Sequence, residues 1–397
     1  MEVEKEREER MNSKSIAAIA VVVVIIIAAV CAIALSGGDG SGDDRQTTGS
    51  VTVTDAGGRE VTVDLPVEKV AILEPTALEL FAGAVGDGWA DYIVMVTEDI
   101  LTREPTKWNM MQETYPVLKD VIVKGDIFGT YTLPSEDILS SGATLALVSD
   151  ATIGYLPGVE TQIEALEKAG VSVLYVGFYN KAFDEGIAER NYGAIGKIMG
   201  TESTAQKCIG FYEEKVDYAK SKLTSTKDYT YYVEIPSGDV SRYGSVVSMG
   251  TPEFAILGGT NICNDPSGQD SNWNIEKMQR PDGDGPDHIF IVSSGYYGSE
   301  SILGHAVKDT EAESQRLLED IVSRSGWSDL KAVKEGNVYL VYGELRNSAF
   351  VLVDLYDAAS VIYPDLFSQE DVADVIEGLD SITPFGFSGT WMYKYRV

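Results

Sequence analysis

His288 and His305 are the only histidines in this 397-residue chain, and Cys208 and Cys263 are the only cysteines outside an apolar run near its start. Two cysteines make no disulfide framework, and these lack the C-x-x-C spacing of a zinc or redox pair. Two buried free thiols are expected, with one bridge between them as the alternative. Two imidazoles also fall short of the nitrogen and sulfur donors that a transition-metal site draws from protein. The sequence holds no P-loop, no G-x-S-x-G elbow and no H-E-x-x-H helix. Its acidic run 282–287 (DGDGPD) lacks the ligand spacing and closing glutamate of a calcium loop and reads as a polar turn. No catalytic residue, protein-held metal or cofactor is therefore expected. The chemistry that remains is recognition by aromatic and charged side chains, so the elements that carry those side chains matter most.

Near the start lies an uncharged run of twenty residues, Ile16–Leu35. At about 1.5 Å rise per residue it makes a helix of roughly 30 Å, the thickness of a bilayer's hydrocarbon core. Lys5, Arg7, Arg10 and Lys14 precede it and only Arg45 follows closely, which orients residues 1–15 to the cytoplasm and the rest outside. An uncleaved signal anchor is the preferred reading. Cleavage near Ala34 and lipidation at Cys31 are the alternatives. Residues 36–50 (SGGDGSGDDRQTTGS) have nothing large and apolar to pack, and form a tether with a reach on the order of 20 Å.

Beyond residue 45 the chain carries 26 basic against 54 acidic residues, a net charge of −28. Such a body repels nucleic acid and anionic lipid, which excludes nucleic-acid partners. Val51–Thr54 and Glu60–Val63 read as a hairpin around Asp55-Ala56-Gly57-Gly58. Apolar strands at Val70–Leu73, Thr144–Ser149 and Val171–Phe178 then alternate with helical stretches, and the rhythm returns at Tyr229–Ile235, Ile289–Ser293 and Val338–Tyr342. Alternation of this kind predicts parallel sheets with right-handed crossovers. Between the two series, Cys208, Tyr212, Val216, Ala219 and Leu223 mark one apolar face of a helix, which Gly200-Thr201 separates from a helix around Ile187–Met199. The fold class is thus α/β: two Rossmann-like lobes with mainly parallel sheets joined by a long rigid helix, behind one transmembrane helix and a tether. The predicted division is 51–182 for the first lobe, 183–224 for the connecting helical region and 225–397 for the second lobe.

The stretch VTVTDAGGREVTVDLPVEKVAIL resembles the opening of ABC-transporter substrate-binding proteins for iron(III)–siderophores, haem and vitamin B12. The resemblance continues through EPTALELFAGAVG, TLPSEDILSSGATLALVSD, QIEALEKAGVSVLYV, YGAIGKIMGTESTAQKCIGFYEEKV, ILGGTNICND, WSDLKAVKEGNVYLVYGELRNSAF and IYPDLF, in family order along the chain after the tether. It implies two lobes that clamp a ligand between them, a permease dimer with its cytoplasmic ATPase as partners, and a place on the outer face of the cytoplasmic membrane. The implied ligand is an iron(III) chelate, with a corrinoid such as vitamin B12 or haem as the alternative. The histidine count argues against a zinc or manganese branch.

Carried over by position, Glu136 in LPSEDIL and Glu276 in NWNIEKM match the glutamate of each lobe that pairs with permease arginines. Each alone is also an ordinary helix-start glutamate, favoured by the helix dipole. The resemblance further implies aromatic walls and a few cations around the ligand. Trp89, Tyr92, Tyr131 and Tyr155 are the candidates in the first lobe, and Tyr243, Trp273, Tyr296 and Arg346 in the second. Arg346 has the fork geometry that suits carboxylate, catecholate or hydroxamate oxygens. For each aromatic the plainer role is core packing. Three stretches depart from the family pattern: an expanded first-lobe loop at 101–115, an acidic Glu74 at the cleft rim, and a Gly-, Ser- and Tyr-rich segment at 295–308. A chelatase-like enzyme would need a base or metal ligand in the cleft, and a sensor ectodomain would need a cytoplasmic signalling domain; both are weaker readings.

Overall fold

The computed structural model describes residues 48–224, 226–279, 283–293 and 301–397. The apolar run 16–35, its tether as far as residue 47, and Tyr296 lie outside the described residues. Among the described residues no helix is long and apolar enough to cross a membrane. Gln46–Val397 forms one compact unit.

Strands β1 (Gly49–Thr54) and β2 (Glu60–Leu65) form the predicted antiparallel hairpin, with Val51 opposite Val63 and Val53 opposite Val61 on the buried face. The Asp55 carboxylate closes the turn by accepting from the backbone and Nε of Arg59, both at 2.9 Å. The first sheet then runs in the order β5-β4-β3-β6-β7, all parallel, from β3 (Val70–Ile72), β4 (Ile93–Val96), β5 (Ile122–Val123), β6 (Leu145–Ser149) and β7 (Ser172–Val176). Chain order reverses between β3 and β6, and crevices for ligands open at such points beyond the carboxyl ends of the strands.

The connecting helix Glu202–Lys222 buries Ala205, Cys208, Ile209, Tyr212, Val216 and Ala219, one stripe at helical spacing. Gly200, at φ 68°, supplies the left-handed residue that ends the helix before it. In the second lobe β8 (Tyr229–Ile235), β12 (His288–Ser293) and β14 (Val338–Tyr342) are parallel and lie side by side, with short β9 (Ser245–Val247), β10 (Gly259–Asn261), β11 (Gln269–Asp270) and the antiparallel β16 (Met392–Lys394) around them, and β13 (Gly304–His305) pairs separately with β15 (Gly389–Thr390). Every residue of β6, β12 and β14 is buried, as expected for central parallel strands covered on both faces. Cys208 and Cys263 are buried free thiols.

The expanded loop expected at 101–115 is instead two helices, Glu98–Arg103 and Pro105–Thr114. Acidic Glu98 and Asp99 favour the first start, and Pro105 with its missing N–H suits the second. Trp108 and Met111, three residues apart, anchor this segment in the core. The same folding places Lys107 among buried carboxylates. Its ammonium pairs with both Glu79 and Glu104, and Glu104 also accepts from the Tyr342 hydroxyl of the second lobe at 2.6 Å. His305, also from the second lobe, lies beside them, its pKa far below the usual value because of burial and the Lys107 charge. Glu79, Glu104 and His305 bring ligating atoms within 4.8 Å of one another, and Lys107 supplies the cation that both carboxylates need.

Replacing Lys107 by Met would leave two buried carboxylates uncompensated. Breaking a buried pair in this way costs about 3–5 kcal/mol. Urea unfolding of the soluble body at pH 7 should show that loss, shrinking at acidic pH as the carboxyls protonate; an unchanged midpoint would rule out the ion pair as a support of the fold.

Candidate ligand-binding cleft

Residues of both lobes line a cavity of about 290 Å³ at the carboxyl ends of their parallel strands. Glu74 enters just after β3, Ser149 and Thr152 at and after β6, and Tyr179 after β7. Opposite them stand Ile235 from β8, Val292 from β12, and Gly343, Glu344 and Arg346 after β14. Both lobes thus present strand ends to one space.

Backbone and side-chain contacts hold the lobes close around it. The Phe178 N–H donates to the Asn347 carbonyl at 3.0 Å, and the Gly250 N–H to Asn180 Oδ1 at 2.7 Å. Gly250, at φ 73°, lies against the Tyr179 ring, and a side chain there would run into it. Arg103 meets Glu344 across the cleft at 2.6 Å and lies over the Phe128 ring, 4.8 Å from its centroid. This largely buried pair cancels its own charge.

Arg346 differs. Only 8% of its surface is exposed, and among the described residues it has no salt bridge or hydrogen bond, with a buried Nε lacking any acceptor. A guanidinium withdrawn from water without an acceptor carries a large desolvation cost. The neighbouring Leu345–Asn347 turn aims it at the cavity.

Glu74 is the cleft's other unusual charge. Its carboxylate accepts from the Ser149 N–H at 2.9 Å and from Thr152 Oγ1 at 2.8 Å. Burial outweighs both bonds and pushes its pKa from 4.5 up to about 7. The acidic rim read from the sequence is therefore half neutral near physiological pH.

Of the candidate wall residues, the structure brings Tyr131, Tyr155 and Arg346 to the cavity. Tyr131 is 56% exposed and Tyr155 54%, both at the mouth. Tyr131 holds a left-handed backbone at φ 55°, a conformation that costs of order 1–3 kcal/mol outside glycine and gathers at functional positions. The other described candidates do not line this cavity. Trp89 is fully buried, packing edge-on against Tyr115 at 5.2 Å and Phe385 at 6.3 Å. Tyr92 lies against Phe81. Tyr243 accepts from Trp327 Nε1 at 2.9 Å and sits under Arg324, while Trp273 packs on Tyr232 and under Lys277. In each case core packing claims the ring. Glu136 and Glu276 are exposed in the first turns of the short helices Ser135–Ser141 and Ile275–Met278, one in each lobe.

Residues 148–344 match the family model described as periplasmic binding protein. An uncharacterized ABC transporter substrate-binding lipoprotein of Bacillus subtilis, YvrC, is 24% identical over 327 residues, covering 80% of this chain and 87% of that protein. The iron-uptake system-binding protein of the same organism is 26% identical over 156 residues, 38% of this chain and 44% of that protein. Among solved structures, the TroA-like periplasmic binding protein FepB of Veillonella parvula shares the fold with a TM-score of 0.73, at 24% identity over 87% of this chain and all of that one. Proteins of this family are transport components and not enzymes. Sequence reasoning missed Arg103, Phe128, Tyr179, Met249 and Glu344 as lining residues. Tyr179 and Glu344 follow the ends of the apolar runs that became β7 and β14, the position beyond a parallel strand where ligand crevices open and the signal that could have found them.

Glu74 gives the cleft a pH signature. A carboxyl whose pKa is higher folded than unfolded stabilises the fold below about 4.5 and loses that contribution as pH rises through about 7. The difference amounts to about 2–3 kcal/mol between pH 5 and pH 8. Unfolding curves of Glu74→Gln should be flatter over that range by this amount; an equal pH slope in both proteins would refute the assignment.

Proposed function

We propose that this chain is the extracytoplasmic substrate-binding component of an ABC importer and that it captures an anionic iron(III) chelate. The observation that carries this reading is Arg346, a buried guanidinium without a protein acceptor, pointing into a cleft between two lobes. Carboxylate, catecholate or hydroxamate oxygens would complete it. Phe128, Tyr131, Tyr155, Tyr179 and Met249 offer the flat apolar walls that an organic chelator's framework packs against. The iron-uptake relative is consistent with this ligand class. A cavity of about 290 Å³ is at the small end of ligand pockets, so a compact chelate fits with the lobes as they stand. A corrinoid or haem, the second reading, would require them to part.

The exposure of Glu136 and Glu276, one in each lobe, supports delivery to a permease. One exposed carboxylate per lobe lets a permease grip both lobes, so docking senses the cleft. The substrate-binding lipoprotein relative supports a permease and ATPase as partners and an extracytoplasmic location. The membrane tie through Ile16–Leu35, as anchor or as lipid site at Cys31, belongs to the same proposal.

Residues 46–397 titrated with ferric catecholates, ferric hydroxamates, ferric citrate, haem and cobalamin should bind an anionic ferric complex best. Arg346→Met should weaken that binding by at least ~30-fold, about 2 kcal/mol, the lower end for truncating a buried charged contact. Binding of none of the five, or equal binding by the variant, would refute the ligand assignment. Joint replacement of Glu136 and Glu276 by Ala should abolish uptake in cells while leaving the solution affinity unchanged; normal uptake would exclude them from docking.

A further inference from the structure

Arg346 borders two spaces. One is the ligand cleft, and the other is an enclosed cavity of about 10 Å³ behind it, lined also by Glu253, Asp354 and Asp357. That is room for about one water. Glu253 comes from the helix Pro252–Ile256, and Asp354 and Asp357 from Val351–Ile362. Glu253 is 0% exposed, and neither of its carboxylate oxygens has a hydrogen-bond partner among the described residues; Asp354 Oδ2 is likewise buried and unpartnered. Asp357 is half-buried. None of the three is within salt-bridge distance of a cation among the described residues. Two or three carboxylates therefore share a single guanidinium that must also serve the cleft.

We infer that this cluster is a proton-binding site that couples ligand capture to proton uptake: an anion in the cleft draws on the Arg346 charge, and the carboxyls behind it take up a proton in compensation. The inference rests on the anionic-ligand reading above. With the cluster fully ionised, three negative charges would face one positive charge in a space nearly closed to water, an arrangement that burial forbids. Burial raises the pKa of all three groups, Asp357 to about 7 and Asp354 well above its usual value, while Arg346 opposes the rise for Glu253 and Asp354. When ligand oxygens engage Arg346, that opposition weakens and the carboxyls bind protons more tightly. By linkage, anion affinity must fall as pH rises and the cluster ionises, because an ionised cluster neutralises the arginine from behind.

The groups that face the cluster do not titrate in this range. Tyr179, Tyr229 and Tyr231 bring phenols toward Glu253 and Arg346, and burial holds all three above their usual pKa. His288, edge-on to Tyr229 at 5.5 Å, is pushed down to about 4 by burial and stays neutral. On the far side of the helix Val351–Ile362, the Tyr356 hydroxyl donates to the Lys215 carbonyl, and Asp371 and Asp374 act on that phenol. Among the described residues Glu74 is the one other group of the cleft pushed to about 7, and the test separates it.

Calorimetric titration of residues 46–397 with the iron(III) tris-catecholate trianion, in buffers of differing ionisation enthalpy at pH 6, 7 and 8, counts the protons taken up. Wild type should take up a substantial fraction of a proton per ligand near pH 7, with affinity falling up to ~10-fold per pH unit above it. Glu74→Gln should retain most of this uptake. Glu253→Gln, Asp354→Asn and the milder, half-buried Asp357→Asn should each reduce it and flatten the pH profile. Binding enthalpies independent of buffer in the wild type would overturn the coupling while leaving the anionic-ligand reading intact. Uptake lost in Glu74→Gln and kept in the folded cluster variants would assign the proton to Glu74 and overturn it as well. Failure of the trianion to bind at any pH would overturn the ligand reading, and the coupling with it.

Discussion

The spacing of the two lobes depends on a lysine that water cannot reach. Lys107 pairs with Glu79 and Glu104 inside the first lobe, and Glu104 in turn accepts from Tyr342 at the end of the second lobe's β14. A charge buried this deeply is tolerated only when its partners keep their geometry, because each loss of a partner exposes the full desolvation penalty of the remaining groups. The network therefore admits few arrangements, and it acts one turn away from the residues that form the cleft. Arg103 precedes Glu104 and Glu344 follows Tyr342 by two residues, so the latch and the cross-cleft pair move together. Phe178–Asn347 and Asn180–Gly250 hydrogen bonds join the lobes beside this ionic seam.

Closeness of the lobes has a consequence for recognition. Arg103 and Glu344 consume each other's charge, Glu74 is held half neutral by burial, and the buried carboxyls behind Arg346 resist ionisation. Each device removes a competing charge from the neighbourhood of one guanidinium. The cleft is thereby neutral on most of its surface and positive at one point, lined elsewhere by aromatic and thioether groups. Such a surface suits a ligand that is mostly organic framework with its negative charge concentrated on chelating oxygens.

Most of the architecture could be read before the structure, because parallel strands buried on both faces leave unbroken apolar runs such as 145–149 and 289–293, and the connecting helix leaves a stripe at Cys208, Tyr212 and Val216. The cleft residues were legible only where they lie beside such a strand or within or beside a family-like motif, as with Glu74, Tyr131, Tyr155 and Arg346. Trp89, Tyr92, Tyr243 and Trp273 could not be sorted from sequence, since an aromatic ring serves a core and a ligand wall by the same apolar contact. The segment 101–115 failed for a different reason. Its polar residues look like a surface loop, yet Glu104 and Lys107 are buried as partners of each other, and pairing across space leaves no periodic trace in the chain.

The acidity of the whole molecule bears on how an anion could be captured at all. A chain with a net charge of −31 repels anions at long range, but at physiological salt that field decays within about 8 Å. Arg346 lies in a recess where solvent ions screen poorly and where desolvated hydrogen bonds to a charged group are strong. Attraction is therefore short-ranged and begins only once a ligand has entered the mouth. Under the proposed function, Tyr131 and Tyr155, exposed at that mouth, would offer apolar contact to a chelate before it reaches the arginine. Capture on such a surface is governed by how slowly the ligand leaves more than by how fast it arrives. A receptor that holds its ligand by one desolvated charge between two lobes can release it when those lobes are moved apart, because water then reaches the arginine from the cleft side.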